Sequence, residues 1–266
     1  MIVTIDGKEV SCERGEYLLD IATRAGIRIA SLCHHEGLQG QGCCRLCTVE
    51  VETGRGDTGR GEGAQSGSFS DKKPRREIVA ACIYPVEAEC VVYTDSERVR
   101  RNRGILLALL RASAPASEEI AELCREFGAP DGARYEVQSG DGKCILCGLC
   151  AKACQTLGTG AISSVGRGTA KKISTPYDEP ATVCVGCGSC AAVCPTGAIE
   201  VAEDGDERTI WNKTLTLTRC SRCGAVTGTA FEHYRASVHA GTEPPDLCPD
   251  CRRKAMTDTM AKTFGV

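Results

Sequence analysis

Apolar and polar residues alternate weakly over residues 1–12, and Asp6-Gly7 interrupts the alternation with a hairpin turn signal. From Glu16 to Ala25 (EYLLDIATRA) the apolar positions recur at helical spacing and stop at Gly26. Thr48 to Glu52 (TVEVE) reads as a strand. Residues 53–76 are rich in Gly, Ser and charge with almost nothing to bury, which predicts a long exposed loop. Strand and turn character returns over Ile78 to Tyr93. Thr94 to Arg111 reads as a helix, with Thr94 and Glu97 at capping-box spacing, and Ser117 to Phe127 as a second helix ending at Gly128. Residues 136–205 hold two cysteine-rich copies of one pattern. The tail from about 206 carries two further C-x2-C pairs and ends in a short polar helix.

Composition adds a constraint that the pattern does not. The chain of 266 residues is 42% apolar but only 4% aromatic, so the largest core-forming side chains are scarce. Twenty cysteines offer another way to hold it together. Sixteen of them lie in tight C-x2-C or C-x2-C-x2-C-x3-C groups, or at a spacing that completes one. Thiols two residues apart are poorly placed to pair with each other but well placed to grip one metal centre, so metals are favoured over disulfides. The first residues lack a basic stretch followed by an apolar one, and a reducing, cytoplasmic setting is the expectation. The net charge of −3 argues against a nucleic-acid binder with a broad basic face. Ile105 to Leu110 is far too short an apolar run to span a bilayer.

Cys33, Cys44, Cys47 and Cys82 read C-x10-C-x2-C-x34-C. A 2Fe-2S cluster needs four thiolates, and a loop supplying three, closed by one distant cysteine, meets that need. Gly37, Gly40 and Gly42 let the backbone curl and aim amides at the cluster. SLCHHEGLQGQGCCRLCTVEVE and VAACIYPV resemble the N-terminal ferredoxin-like domain of the largest peripheral subunit of respiratory complex I. The same domain opens iron-only hydrogenases and the diaphorase subunits of NAD-linked nickel–iron hydrogenases. Matching Gly42, Cys44, Arg45 and Cys47 to the family's Gly-x-Cys-Arg-x-Cys implies that Cys44, not Cys43, is the ligand. The glycine-rich loop then looks like an insertion in the family's last spacing. A Rieske site would need a C-x2-H partner, which His34 and His35 lack. Gly54, Gly56 and Gly59 spell G-x-G-x-x-G, but Arg60-Gly-Glu-Gly is a poor opening for the helix a dinucleotide fold requires.

Cys144, Cys147, Cys150 and Cys154 form one C-x2-C-x2-C-x3-C run; Cys184, Cys187, Cys190 and Cys194, with Pro195 after them, form another. This is the bacterial two-cluster ferredoxin signature, in which the fourth cysteine of each run ligates the other cluster. Cys144, Cys147, Cys150 and Cys194 are expected to hold one 4Fe-4S centre, and Cys184, Cys187, Cys190 and Cys154 the other. Zinc suits paired groups of four, not two three-plus-one runs. Gln155 stands where the pattern usually has proline.

In complex I and several hydrogenases an H-x3-C-x2-C-x5-C site lies between these modules. Nothing between Cys90 and Cys144 matches it, and that linking cluster is expected to be absent. Cys124 shares a helical face with Ile120, Leu123 and Phe127, and Cys12 and Cys90 sit in strand-like alternation, so all three read as core. Cys220, Cys223, Cys248 and Cys251 look like the knuckles of a zinc ribbon, with Gly224 and Pro249 in the turns. A structural zinc is the leading reading and a fourth iron–sulfur cluster the alternative. His233 and His239 read as surface residues of the intervening loop.

The expected fold is modular α+β. A β-grasp 2Fe-2S ferredoxin-like domain (1–93, with the insertion at 53–76) precedes a helical connector (94–135), a dicluster 4Fe-4S domain (136–205) and a small zinc-ribbon-like module (206–266). No residue set suggests a catalytic site of its own or a flavin site. The expected function is electron transfer within a multi-subunit NAD(P)H-linked oxidoreductase. The resemblance implies a flavin- and NAD(P)-binding partner and a second redox subunit: a hydrogenase, a formate dehydrogenase or a flavin-based electron-bifurcating module. Neither nucleic acid nor direct membrane insertion is expected. Arg98, Arg100, Arg101 and Arg103 form a basic stretch that could dock a partner but reads first as a solvated helix face. A redox-sensing regulator and a free-standing multicluster ferredoxin are the alternatives.

Overall fold

Asp6 and Gly7 take φ of 47° and 85°, a left-handed pair that closes a two-residue hairpin between β1 (Ile2–Ile5) and β2 (Lys8–Ser11). In this computed structural model, residues 1–38, 40–53, 75–129, 142–243 and 246–264 are described. They form two compact units, 1–149 with 195–198, and 150–194 with 199–266.

In the first unit, α1 (Leu18–Arg24) follows the hairpin, then come β3 (Thr48–Thr53), β4 (Arg75–Ala80) and β5 (Cys90–Tyr93). The sheet order is β2-β1-β5-β3-β4, with β1 and β5 parallel and the other pairs antiparallel. Val3, Ile5, Val49, Val51 and Val92 share a core with Leu18, Ile21 and Ala22 of α1, giving the β-grasp arrangement. Leu18 is fully buried, and Leu18→Ala is expected to cost about 2–5 kcal/mol of stability. A urea denaturation midpoint that stays at the wild-type value would contradict this.

The expected loop at 53–76 is shorter at both ends, because Thr53 pairs with Arg75, and Glu52 with Arg76. The rest of that loop, including the G-x-G-x-x-G match, lies outside the described residues. Helix α2 (Glu97–Ser113) is capped by Ser96, whose side chain accepts from the Val99 N–H, rather than by Thr94. Thr94 instead donates its backbone N–H to Asp6 at 2.9 Å, which ties the helix entry to the first hairpin. Helix α3 (Glu118–Glu126) is capped by Ser117 and packs on α2.

The basic stretch divides. Arg98 pairs with Glu50 and Arg100 with Asp95, whereas Arg103 is buried, donates to the Thr94 carbonyl at 3.0 Å and stacks over Phe127 at 4.7 Å. Arg103 belongs neither to a solvated face nor to a docking surface. Burial lowers its guanidinium pKa.

The second unit opens at Cys150 within α4 (Leu149–Thr156) and continues with the hairpin β6 (Ser163–Val165) and β7 (Lys172–Ser174), and the short α5 (Ser189–Ala192). An antiparallel sheet follows, ordered β11-β10-β9-β8, of β8 (Ala202–Asp204), β9 (Glu207–Ile210), β10 (Lys213–Arg219) and β11 (Val226–Thr229). Helices α6 (Ala230–Ala240) and α7 (Pro249–Phe264) complete it. The division expected at 205/206 falls in the turn of the β8–β9 hairpin, so the dicluster segment and the tail share one sheet. Helix α4 runs on through Cys154, where Gln155 can donate a backbone N–H; Pro195 cannot, and α5 has ended at Ala192.

Candidate metal centres

Cys33, Cys44, Cys47 and Cys82 come together at one edge of the β-grasp core, and all are buried. Contacts link Cys44 to Cys33, Cys33 to Cys82, and Cys82 to Cys47. The Cys44 N–H points at the Cys33 sulfur at 3.4 Å, the Gly42 N–H at Cys82, and the Cys82 N–H at Cys47. The contact with Cys33 raises the Cys44 thiol's pKa, with burial adding to it. For Cys82 the contact with Cys33 lowers the pKa, but Cys47 and burial outweigh it and push the thiol up to about 11. Thiolates in such a place need a cation to balance them, which iron would supply if bound there.

The loop is shaped to wrap such a group. Gly42 (φ 62°) and Arg45 (φ 60°) turn the backbone on either side of Cys44. A Cβ on Gly40 would stand 2.5 Å from the Cys82 carbonyl oxygen, a backbone atom that cannot yield cheaply. Gly40→Ala is therefore expected to displace Cys82, cost about 1–3 kcal/mol and weaken the two-iron signal in electron paramagnetic resonance. Full signal at wild-type stability would contradict this.

Cys43 is exposed and its sulfur faces the Gln41 carbonyl, apart from the other four. His34 faces Asp20, and the His35 ring accepts from the Gly37 N–H. Cys12, Cys90 and Cys124 are not part of the set, and burial raises the pKa of each thiol.

The two long runs repeat one backbone turn. Leu146 and Gly148 take φ of 55° and 78° in the first, Gly186 and Gly188 take 73° and 74° at the matching places in the second. Cys184, Cys187, Cys190 and Cys154 line one pocket of the second unit. Several donors face those sulfurs. The Ala161 N–H lies 3.2 Å from Cys154, the Thr159 hydroxyl 3.0 Å from it, and the Trp211 indole N–H 3.4 Å from Cys190. Desolvation raises the Cys184 and Cys190 pKa values. Of the other expected set, Cys144 and Cys147 belong to the first unit and Cys150 and Cys194 to the second. The Leu146 N–H points at the Cys144 sulfur at 3.4 Å.

Cys220, Cys223, Cys248 and Cys251 converge, their sulfurs all within 4.8 Å of one another. Among the described residues, this is the one set of thiols drawn in to such mutual distances. Cys223 and Cys248 sulfurs are 3.7 Å apart. The backbone N–H of Cys248, with those of Arg222 and Cys223, pulls the Cys220 pKa down to about 6. The segment between the pairs is not the expected loop. It holds β11 and α6, the latter opened by a capping box of Thr229 and Glu232 and closed by Gly241. His233 is half-buried on α6 and meets the Thr227 carbonyl and the Thr218 hydroxyl; His239 is exposed on the same helix.

Two family models match the chain. The 2Fe-2S iron-sulfur cluster binding domain covers residues 1–97, and the 4Fe-4S dicluster domain matches 143–198 and 183–227. The NADP-reducing hydrogenase subunit HndD of Solidesulfovibrio fructosivorans is 32% identical over 229 residues, 75% of this chain and 36% of that protein. The chain is an iron–sulfur protein homologous to part of it. The NADPH-Fe(3+) oxidoreductase subunit alpha of Geobacter sulfurreducens is 29% identical over 87% of this chain and 27% of its own length. The mitochondrial NADH-ubiquinone oxidoreductase 78 kDa subunit of Candida albicans is 27% identical over 74% and 28%. The chain thus spans about a third or less of these curated relatives. A chain in the crystal structure of an NAD+-reducing [NiFe]-hydrogenase in the H2-reduced state has a TM-score of 0.58 and 25% identity, covering 74% of this chain and 85% of that one. Among the described residues, no helix is long and apolar enough to cross a membrane.

Proposed function

We propose that this chain is the electron-transfer subunit of a multi-subunit NAD(P)H-linked oxidoreductase. Cys33, Cys44, Cys47 and Cys82 hold a 2Fe-2S cluster. Cys144, Cys147, Cys150 and Cys194 hold one 4Fe-4S cluster, and Cys184, Cys187, Cys190 and Cys154 hold the other. Once bound, these groups supply one-electron acceptors. The chain's own residues supply the thiolates, aim N–H donors at the sulfurs and, at the 2Fe-2S site, bury all four thiols from water. The observation that carries this reading is the presence in one chain of a buried four-thiol site in the β-grasp unit and a pocket lined by Cys154, Cys184, Cys187 and Cys190. Its partners are a flavin- and NAD(P)-binding subunit and a second redox subunit; the relatives above are subunits of NAD(P)H-linked enzymes, which supports this reading. The test is a reductive titration of the anaerobically purified chain followed by paramagnetic resonance. One 2Fe-2S and two 4Fe-4S signals are the expected result, and their absence at full reduction would refute the proposal.

For Cys220, Cys223, Cys248 and Cys251 we propose a single structural zinc ion. Zinc–sulfur bonds of about 2.3 Å in a tetrahedron put sulfurs about 3.8 Å apart, close to the 3.7 Å between Cys223 and Cys248. A cluster spreads its ligands over several irons, so its thiolates stand wider than this set does.

A further inference from the structure

The second cluster-binding loop is walled by residues from beyond the dicluster signature. Arg208 donates to the Gly186 carbonyl at 2.8 Å, and the Thr229 hydroxyl donates to the Val185 carbonyl. A Cβ on Gly186 would meet Leu215 at 2.7 Å. Two side chains at the β9–β10 turn go further. The Lys213 ammonium donates to the carbonyls of Ala181, Thr182 and Cys184 at 3.1, 2.9 and 2.7 Å, and lies 4.8 Å over the Phe231 ring. The Trp211 indole N–H reaches the Cys190 sulfur at 3.4 Å. Trp211 does so from φ 51°, beside Asn212 at 59°. A bulky residue rarely adopts that conformation, and a turn alone would be better served by Asn-Gly.

We propose that Trp211 and Lys213 are tuning residues that raise the reduction potential of the centre held by Cys154, Cys184, Cys187 and Cys190. This rests on the ligand reading given above. Reduction makes the centre more negative, so an N–H aimed at a ligand sulfur and a fixed cation beside a ligand both stabilise the reduced form. The step concerned moves one electron onto the centre from a reduced donor, a flavin in the complex or dithionite in the test, with no bond made or broken. The hairpin thereby biases this centre to hold the electron. Neither residue is a ligand, so their effect is on potential and not on iron content.

The test uses the full chain with its clusters, purified without air, as wild type, Trp211→Phe and Lys213→Gln. Each is titrated with redox mediators and read by paramagnetic resonance. One 4Fe-4S signal moves to lower potential in both variants, while the 2Fe-2S signal stays put. For Trp211→Phe the oxidised-to-reduced ratio at the wild-type midpoint rises on the order of fivefold, the worth of one hydrogen bond. Unmoved midpoints would overturn the inference, as would loss of that signal and about four irons from both variants, the mark of a purely structural role. If only one variant loads its iron, the other decides. A wild type without two 4Fe-4S signals would overturn the ligand reading itself, and this inference with it.

Discussion

Replacing Cys82 with alanine is expected to remove the two-iron centre and leave the others. Cys82 is buried and contacts both Cys33 and Cys47, so no other thiol of the set can take its place. The chain should lose about two irons and two sulfides, together with the 2Fe-2S paramagnetic signal. The fold beneath should loosen as well, because Cys82 and Cys47 sit in the same core cluster as Val49 and Val86. Exposed Cys43 is the control, and Cys43→Ser should keep full iron. If iron and signal survive Cys82→Ala but not Cys43→Ser, the ligand assignment of this loop is wrong.

Replacing Cys251 with serine should have an equally large effect at the other end of the chain. Cys220, Cys248 and Cys251, with Leu247 against them, make up the core there, and Cys251 is the buried residue of α7. The ion is in effect that core, and structural zinc in small modules contributes about 10–16 kcal/mol of apparent binding free energy. Cys251→Ser should lose the zinc, and with it much of the helical circular dichroism of residues 249–264, and should open α7 to proteolysis. The 2Fe-2S signal should be unchanged. Retained zinc, or helicity equal to wild type, would contradict the proposed site.

Much of the first unit is legible in its sequence because its signals are local. Asp6-Gly7 closes a hairpin by its own backbone preference, and Gly26 and Gly128 stop helices by theirs. Thr94 shows where local reading ends. Its spacing to Glu97 is that of a cap, but Asp6, 88 residues away, accepts its N–H, and Ser96 caps instead. Arg103 is similar: it belongs to a run of arginines, and only the packing of Phe127 over its guanidinium reveals that it is buried. In the tail, the signals were present. Leu215 and Leu217 alternate with threonines across β10, and Thr229 with Glu232 spells a capping box, though the segment from Gly224 to Leu247 that holds the box reads as a loop between two knuckles. Cysteine spacing names the thiols that line the pocket of the second unit, but nothing in it foretells Trp211 or Lys213. They reach the site through strand pairing.

The most direct test of the whole account is the iron, acid-labile sulfide and zinc content of the chain purified without air. The account predicts about ten irons, ten sulfides and one zinc per chain, two irons from the 2Fe-2S centre and four from each 4Fe-4S centre. About twelve or more irons with no zinc would contradict the structural zinc and make the C-terminal thiols a fourth redox centre. Little iron with several zincs would contradict the electron-transfer function itself.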